Sequence, residues 1–463
     1  MLADARKQHS FVTVIVLNYN GIDFLPSCLS ALVASNYPRH LFEVVVVDNA
    51  STDGSVDLIR KMFPSVDVIE AGSNVGFSHG NNLAMRRAPG PFIALVNPDT
   101  VVDPNWLNPL VERLQGDATL GAVTSKLILD TPRVPVTISS DVFCPSALGV
   151  NEDNRSLGVR LYEVQGSAKV EYRSGVGPVE IDDEGKLFRW TNGEAELAIP
   201  LRTELDHVAL RISAPRPNND VVSYRVLVDG NTAAYGPLGK KAELCEFEVR
   251  SRMASELIQN AGSELLPDGS SRDRGTRRFG NNHFYDWIGT RYNVSCEVFA
   301  FCGAGVLLRL STMHKIGMFD ERIFMYYEDT DLSVRMRRNG WRIEYEPNSI
   351  IRHHHAGLSK EWSPGFTYNV TRSRIYIIWK HWPRKEGINA VLYFVGELIG
   401  SSTVMLKQLM RNPFRIPLEW AMLFARMKVM LNLPVDIVSA EIFRRKRQQL
   451  TFTEAISRWI VDR

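Results

Sequence analysis

The stretch Phe42–Ser51, FEVVVVDNAS, decides the fold. Four consecutive valines, Val44 to Val47, show no in-and-out alternation, so both faces of this strand are buried, as in a parallel sheet covered by helices on each side. The run ends at the polar corner Asp48-Asn49-Ala50-Ser51. Outward from it, FVTVIVLNYN precedes, with apolar residues at helical spacing (Leu25, Cys28, Leu29, Leu32) between the two, and SVDLIRKMF follows. Alternating strand and helix signals over the first 125 residues predict an α/β domain with a parallel sheet. Such sheets bind ligands beyond the carboxyl ends of their strands, where the strand order reverses. The residues at those ends are Asn18-Tyr19-Asn20-Gly21, Asp48 to Gly54, and Asn97-Pro98-Asp99, the last closing the run IALVNPDT. Each corner alone is ordinary turn chemistry, with Ser51 or Asp53 able to cap a helix at Ser55. Three polar corners on one edge point to a ligand site.

Composition sets the bounds. With 463 residues, 44% hydrophobic and 23% charged, the chain is ordinary globular material with room for two or three cores. A formal net charge of +2 gives no reason to expect a nucleic acid partner, although the C-terminal third is locally basic. Five cysteines (Cys28, Cys144, Cys245, Cys296, Cys302), widely spaced and without a CxxC pair, predict reduced thiols in a cytoplasmic protein, with neither disulfides nor a zinc site. The opening MLADARKQHS contains no apolar leader, so the expectation is a protein kept inside the cell. The segment INAVLYFVGELIGSSTVMLKQL (Ile388–Leu409) is interrupted by Glu397 and falls short of the roughly 20 apolar residues a span needs, which predicts peripheral contact with the inner face of the membrane and no crossing.

The texture changes at residue 133. Short alternating runs with hairpin signals at Asn192-Gly193 and Asp229-Gly230 predict an inserted β-sandwich-like domain. Its Trp190, Tyr224 and Tyr235 suit sugar stacking, or simply a core. The α/β texture returns with FCGAGVLLRL, so the expected division is 1–132 for the first half of the host domain, 133–252 for the insertion, 253–365 for the second host half and 366–463 for a helical region. In that last region Trp379, Trp382, Phe414 and Trp420 interleave with Lys and Arg, and Pro413, Pro417 and Pro434 break the pattern. Such a segment fits a helix lying on anionic lipid, and equally a helical appendage packed on the host.

Chemistry concentrates in FDERIFMYYEDTDLSVRMRRNGW, where Glu328, Asp329 and Asp331 open a helix that Gly340 ends. Capping and an Asp331–Arg335 pair at i,i+4 employ some of this charge. Three acids in four residues nonetheless repel unless a cation, a substrate hydroxyl or a raised pKa relieves them, so the surplus acid is a candidate base. Downstream stands His353-His354-His355; strand alternation is expected to bury His354 and turn its neighbours to the other face. An imidazole beside the Asp99 carboxylate would suit manganese.

The segments VIVLNYNG, VVVDNASTDGS, NVGFSHGNN, ALVNPDT, IQNAG with DG and DRG, CGAGVLLR, IGMFDERIFMYYEDTDLSVRMRRNGW and HHHAGLS, in this order, resemble the inverting family 2 glycosyltransferases of GT-A fold, specifically the rhamnosyltransferase-type members that build bacterial surface polysaccharides. The resemblance covers residues 11–130 and 255–360. It implies that Asn18, Asn20 and Asp48 cradle the nucleotide base and ribose, and that Asn74, Gly76, Gly80, Asn81 and Asn97 line the donor pocket. It further implies that Asp99 and His354, five residues before Ser359, hold a divalent cation (Mn2+ or Mg2+), with Asn97-Pro98-Asp99 keeping only the last carboxylate of the family's Asp-x-Asp. Asp329 is then the base, flanked on the acceptor side by Glu328 and Asp331. The implied partners are a nucleoside-diphosphate sugar, foremost L-rhamnose on thymidine diphosphate and next a uridine diphosphate hexose, and a glycan or lipid-linked acceptor. Two rivals remain open. A sugar nucleotidylyltransferase would need a Gly-rich phosphate loop where this chain has LNYNGIDF. A non-catalytic carbohydrate-binding or scaffold protein would need neither Asp99 nor Asp329.

Overall fold

The computed structural model describes residues 10–165, 170–201, 203–279, 282–354, 363–411, 418–445 and 450–461. The chain forms two compact units: residues up to 128 with 259–274 and 289 onward in one, and 129–258 with 275–288 in the other.

The first unit is α/β. It begins β1 (Val12–Asn18), α1 (Leu25–Val33), β2 (Phe42–Asp48), α2 (Ser55–Met62), β3 (Asp67–Glu70), α3 (Gly76–Met85), β4 (Phe92–Val96), β5 (Thr100–Val102), α4 (Leu107–Gly116) and β6 (Leu120–Leu129). The sheet order is β6, the strand Gly305–Arg309, β4, β1, β2, β3. Within it β4, β1, β2 and β3 run parallel, while Gly305–Arg309 is antiparallel to both β4 and β6. Val44 to Val47 are buried as their lack of alternation requires. Leu25, Cys28, Leu29 and Leu32 of α1 join the same core. Because the chain proceeds from β1 to β2 and β3 on one side and then returns to place β4 on the other, the order reverses between β1 and β4. Their carboxyl ends therefore flank the crevice where such folds bind ligands.

Three long helices follow in the C-terminal part of this unit: Pro364–His381, Arg384–Arg411 and Leu418–Arg444. The first is a packed element, with Ile375 to Ile378 and Trp382 buried and the Trp379 indole donating to Glu441. For Trp379 and Trp382, of the two readings left open, the packed appendage is the one the structure shows. Pro434 lies inside a continuous helix and does not break it, since flanking Val429 and Leu433 are locked against Ile375 and Phe394. Pro413, Phe414 and Pro417 fall outside the described residues. Among the described residues, no helix is long and apolar enough to cross a membrane.

The second unit is all β. Its alternating runs make one hydrogen-bonded set of eight strands around one core. The long strand Leu187–Pro200 is the reason: its end pairs with Arg133–Ser140, its start with Arg160–Gln165, and most of its length with Glu171–Ile181. Asn192-Gly193 is no hairpin turn; it lies inside this strand, at a register shift, with Gly193 at φ 102°. Asp229-Gly230 does turn a hairpin, at φ 49° and 74°. Trp190 packs against Phe143 and Phe188 under the Arg160 guanidinium, and Tyr224 lies against the core. Of the three aromatics considered for sugar stacking, only Tyr235 is exposed, at 78%. The unit also takes residues 275–288, because Trp287 pairs with Leu257, stacks under Arg173 and donates to Glu196.

Candidate active site

At the ends of β1 and β2, which are paired Asn18 to Asp48, the side chains bind one another. Asp48 accepts from Asn18 Nδ2 at 3.0 Å, from Ser51 Oγ at 2.6 Å and from the Ser51 N–H at 2.9 Å. Asn20, at φ 52°, accepts from the Thr52 N–H. Asp53 receives the N–H groups of Ile22 and Ser55, which is the turn role expected of it. Asn18 is fully buried, and its Oδ1 has no hydrogen-bond partner among the described residues. A buried acceptor left unsatisfied is costly, so this atom marks a place for a donor group.

The residues of α3 and just before it that were expected in the donor pocket also make contacts within the protein. A Cβ on Gly76 would stand 2.4 Å from the Phe324 carbonyl oxygen, and one on Gly80 2.4 Å from Leu17 Cδ1. Both close approaches are to neighbouring protein, and at Gly80 α3 seats on β1. Asn81 bonds back to the Phe77 carbonyl, and Asn74 receives the Gly76 N–H.

Asp99 follows the corner after β4, which Thr100 Oγ1 closes on the Asn97 carbonyl. Its Oδ1 lies 3.1 Å from His353 Nε2, and both residues are 7% exposed. The structure puts His353, not His354, on this carboxylate. His353 ends the strand Arg342–His353, opposite Thr100 of β5; pairing with β5 sets the inward phase at Ile351 and His353. The exposed His354 ring leans on Phe24, at 5.2 Å between centroids. His355 and Ser359 lie outside the described residues. On its far side His353 Nδ1 meets Gln259 Oε1 at 2.6 Å. With Nδ1 donating to that oxygen, Nε2 turns a lone pair toward Asp99, an arrangement that a proton or a cation between them would satisfy. Carboxylate oxygen and oriented imidazole nitrogen are a donor set that fits manganese and suits magnesium poorly. Among the described residues no group of three or more His, Cys, Asp and Glu gathers around a metal position, so an ion here would take its remaining ligands from elsewhere.

The three acids open the helix Glu328–Arg338, entered through Tyr326 and Tyr327 at φ 68° and 69°. Two successive non-glycine residues in the left-handed region are strained, a state typically kept where function needs it. The acids then diverge. Asp331 is fully buried and bonds Arg335 Nε at 2.8 Å, Lys380 Nζ at 2.7 Å and His381 Nε2 at 2.7 Å. Burial alone would lift this carboxyl; Lys380, Arg335 and His381 hold it well below its usual range. It is a structural anchor and not the acceptor-side group expected. Its folded value lies below the unfolded one, so its stabilisation is present at neutral pH and lost as pH falls. Asp331→Asn, leaving buried cations without their anion, is expected to cost about 3–5 kcal/mol of stability in urea unfolding.

Glu328 is 7% exposed, its Oε2 unpartnered among the described residues. Burial, reinforced by the neighbouring Asp329, lifts it to about 8. Near neutrality it therefore keeps its proton and leaves Asp329 as the single anion of the pair. Because the folded value exceeds the unfolded one, Glu328 contributes fully below the unfolded value of 4.5 and loses that contribution as pH rises through about 8. Glu328→Gln is expected to raise the melting temperature by roughly a few degrees near pH 9 and to leave it unchanged near pH 4.

Asp329 is half-buried. Burial lifts it to about 6; the Thr330 and Gly303 N–H groups pull against that rise, and Asp273 adds to it. Its Oδ1 accepts from the Thr330 N–H at 2.6 Å, whereas among the described residues Oδ2 receives only a long 3.4 Å contact from Gly303. Oδ2 is therefore the oxygen with room for a proton. Gly303 leads into Gly305, which pairs with Val96 at the end of β4, so Asp329 and Asp99 come to the same edge of one sheet. Successive residues of the strand Leu257–Asn260 reach toward both: Gln259 holds His353 and Asn260 donates to Asp273 at 2.7 Å. Gln259, Gly303 and Asp273 were not singled out from sequence, although IQNAG, CGAGVLLR and DRG, quoted for the resemblance, contain them, and His353 was named only as a neighbour of His354.

Residues 13–152 match the family model described as Glycosyl transferase family 2. The matched segment is a family 2 glycosyltransferase domain. Relatives of this glycosyltransferase domain include Glycosyltransferase AglE of Haloferax volcanii, 28% identical over 23% of this chain and 36% of that protein. Another is the poly(ribitol-phosphate) beta-glucosyltransferase of Bacillus spizizenii, 32% identical over 24% of this chain and 18% of that protein. The N-acetylglucosaminyl-diphospho-decaprenol L-rhamnosyltransferase of Mycobacterium tuberculosis is 44% identical over 12% of this chain and 18% of that protein. The matches thus span about a third or less of these relatives' lengths. Among solved structures, GalNAc-T7 with UDP, GalNAc and Mn2+ overlaps 93% of this chain and 58% of its own at 10% identity and a TM-score of 0.45. The mannosyltransferase PcManGT of Pyrobaculum calidifontis, with GDP-Man and Mn2+, overlaps 94% of this chain and 74% of its own at 14% identity and 0.38. The glycosyltransferase match carries Asp48 and Asp99 but ends before Asp329 and His353.

Proposed function

We propose that the chain is an inverting glycosyltransferase that moves a sugar from a nucleoside diphosphate to a hydroxyl of a glycan or lipid-linked acceptor, in the synthesis of a bacterial surface polysaccharide. The observation that carries this reading is that Asp99 and Asp329 meet one sheet edge in unlike states, one against an imidazole and the other with an underused oxygen. Asp329 Oδ2 takes the proton of the acceptor hydroxyl as that oxygen bonds to the anomeric carbon; the bond from this carbon to the diphosphate breaks and its electron pair leaves with the diphosphate. One in-line displacement inverts the anomeric centre. Asp99 and His353 would hold a divalent cation, whose charge offsets that of the departing diphosphate. The unsatisfied Asn18 Oδ1 suits the imide N–H of a thymine or uracil base. L-rhamnose on thymidine diphosphate is our donor of choice, supported by the 44% identity of the short segment shared with the rhamnosyltransferase.

The test pairs thermal shift with donor hydrolysis, across a panel of activated sugars with manganese. The true donor at a hundredfold above its dissociation constant should stabilise the protein by about 2.7 kcal/mol and slowly release nucleoside diphosphate without acceptor. Neither response from any donor would rule the reading out, in favour of a carbohydrate-binding or scaffold role.

A further inference from the structure

The helix Leu418–Arg444 is apolar on two faces, and the fold uses one. Val429 and Leu433 pack on Ile375 and Phe394, and Ala440 on Ile377. Phe424, Met427, Leu431, Val435, Val438 and Ile442 are 48–80% exposed, and their spacing of three or four residues aligns them along a single stripe. On the neighbouring helix Arg384–Arg411, Ile388, Leu392 and Ile399 are 50–63% exposed at similar spacing. Contiguous apolar surface of this kind marks an interaction site.

Charge selects the partner. Residues 364–463 carry sixteen Lys and Arg against seven Asp and Glu, a net +9 in a chain whose total is +2. The acids nearest the stripe are already engaged: Asp436 by Arg372 at 2.7 Å and Glu441 by Arg384 at 3.0 Å. Lys385, Lys428 and Arg445 are exposed, and on a helical projection Lys428 and Arg445 border the stripe. Two copies joined through this face would set like charges together, whereas anionic headgroups would receive them. Neither helix is long and apolar enough to cross a bilayer.

We infer that this face docks on an anionic lipid surface, both helices lying in the headgroup layer with the stripe turned into the acyl boundary. The inference stands on the exposed residues and is independent of the transfer chemistry.

The experiment is sedimentation of the full chain with vesicles of phosphatidylcholine alone and of equal parts phosphatidylcholine and phosphatidylglycerol, at low and high salt. Binding to the anionic vesicles should exceed binding to the neutral ones by about tenfold or more and weaken at high salt. A Leu431→Glu, Val438→Glu double variant, altered only at exposed positions, should melt like the parent and lose about tenfold or more of the binding. Lys385→Glu with Lys428→Glu should abolish the preference for anionic lipid. Undiminished binding by the first variant, or no binding of the parent to either vesicle, overturns the inference. So does a lipid-free dimer that the first variant dissociates, which assigns the stripe to a second copy. The lipid and salt comparisons on the unaltered protein decide the matter even if a variant fails to fold.

Discussion

Asp329→Asn is expected to lower sugar transfer roughly 100- to 10,000-fold, the usual contribution of a positioned base, while donor affinity measured by calorimetry stays nearly unchanged. The amide fills the same space and still accepts from Thr330, but cannot take the acceptor's proton. The pH profile supplies a second reading. With its carboxyl lifted to about 6 by burial, Asp329 loses its basic form as pH falls through that value, so the parent's transfer rate should decline there. The residual rate of the variant should show no such step. Transfer by Asp329→Asn at the parental rate would remove Asp329 from the mechanism.

The second large effect separates two adjacent histidines. Asp99→Ala and His353→Ala should each weaken metal-dependent donor binding by on the order of 100-fold, as loss of a ligand does at least as much as loss of its outer support. His354→Ala, which removes a ring leaning on Phe24, should change donor affinity by less than about twofold. Titration of the donor with manganese against each variant measures this. The reverse ranking, His354 critical and His353 dispensable, would move the ion away from the position argued above.

What was legible in the sequence is what local pattern determines. The valine run of β2 and the apolar stripe of α1 depend on near neighbours only, and both lie where they were expected. The Asp331–Arg335 pair is likewise a short-range helical relation. The site's fine structure is set by distant partners. Which of the three histidines faces inward follows from pairing with β5, and the phase of the short SII run could not reveal it. Gln259 stands 94 positions before the imidazole it orients. Asp331 could pass for a substrate-side acid until Lys380 and His381, on another helix, were found against it. The Asn-Gly pair at 192–193 has the chemistry of a turn, yet a long strand with several partners absorbs it as a bulge.

The clasp between Asp331, Lys380 and His381 also governs where this chain can be cut. A shortened version ending after the histidine strand would keep every cleft residue named above, yet would strand Asp331, two positions beyond Asp329, in the interior with Arg335 as its remaining ion-pair partner. The first turn bearing Asp329 would then lose the brace that fixes its aim, so the helix Pro364–His381 belongs to the smallest segment expected to hold that turn in place.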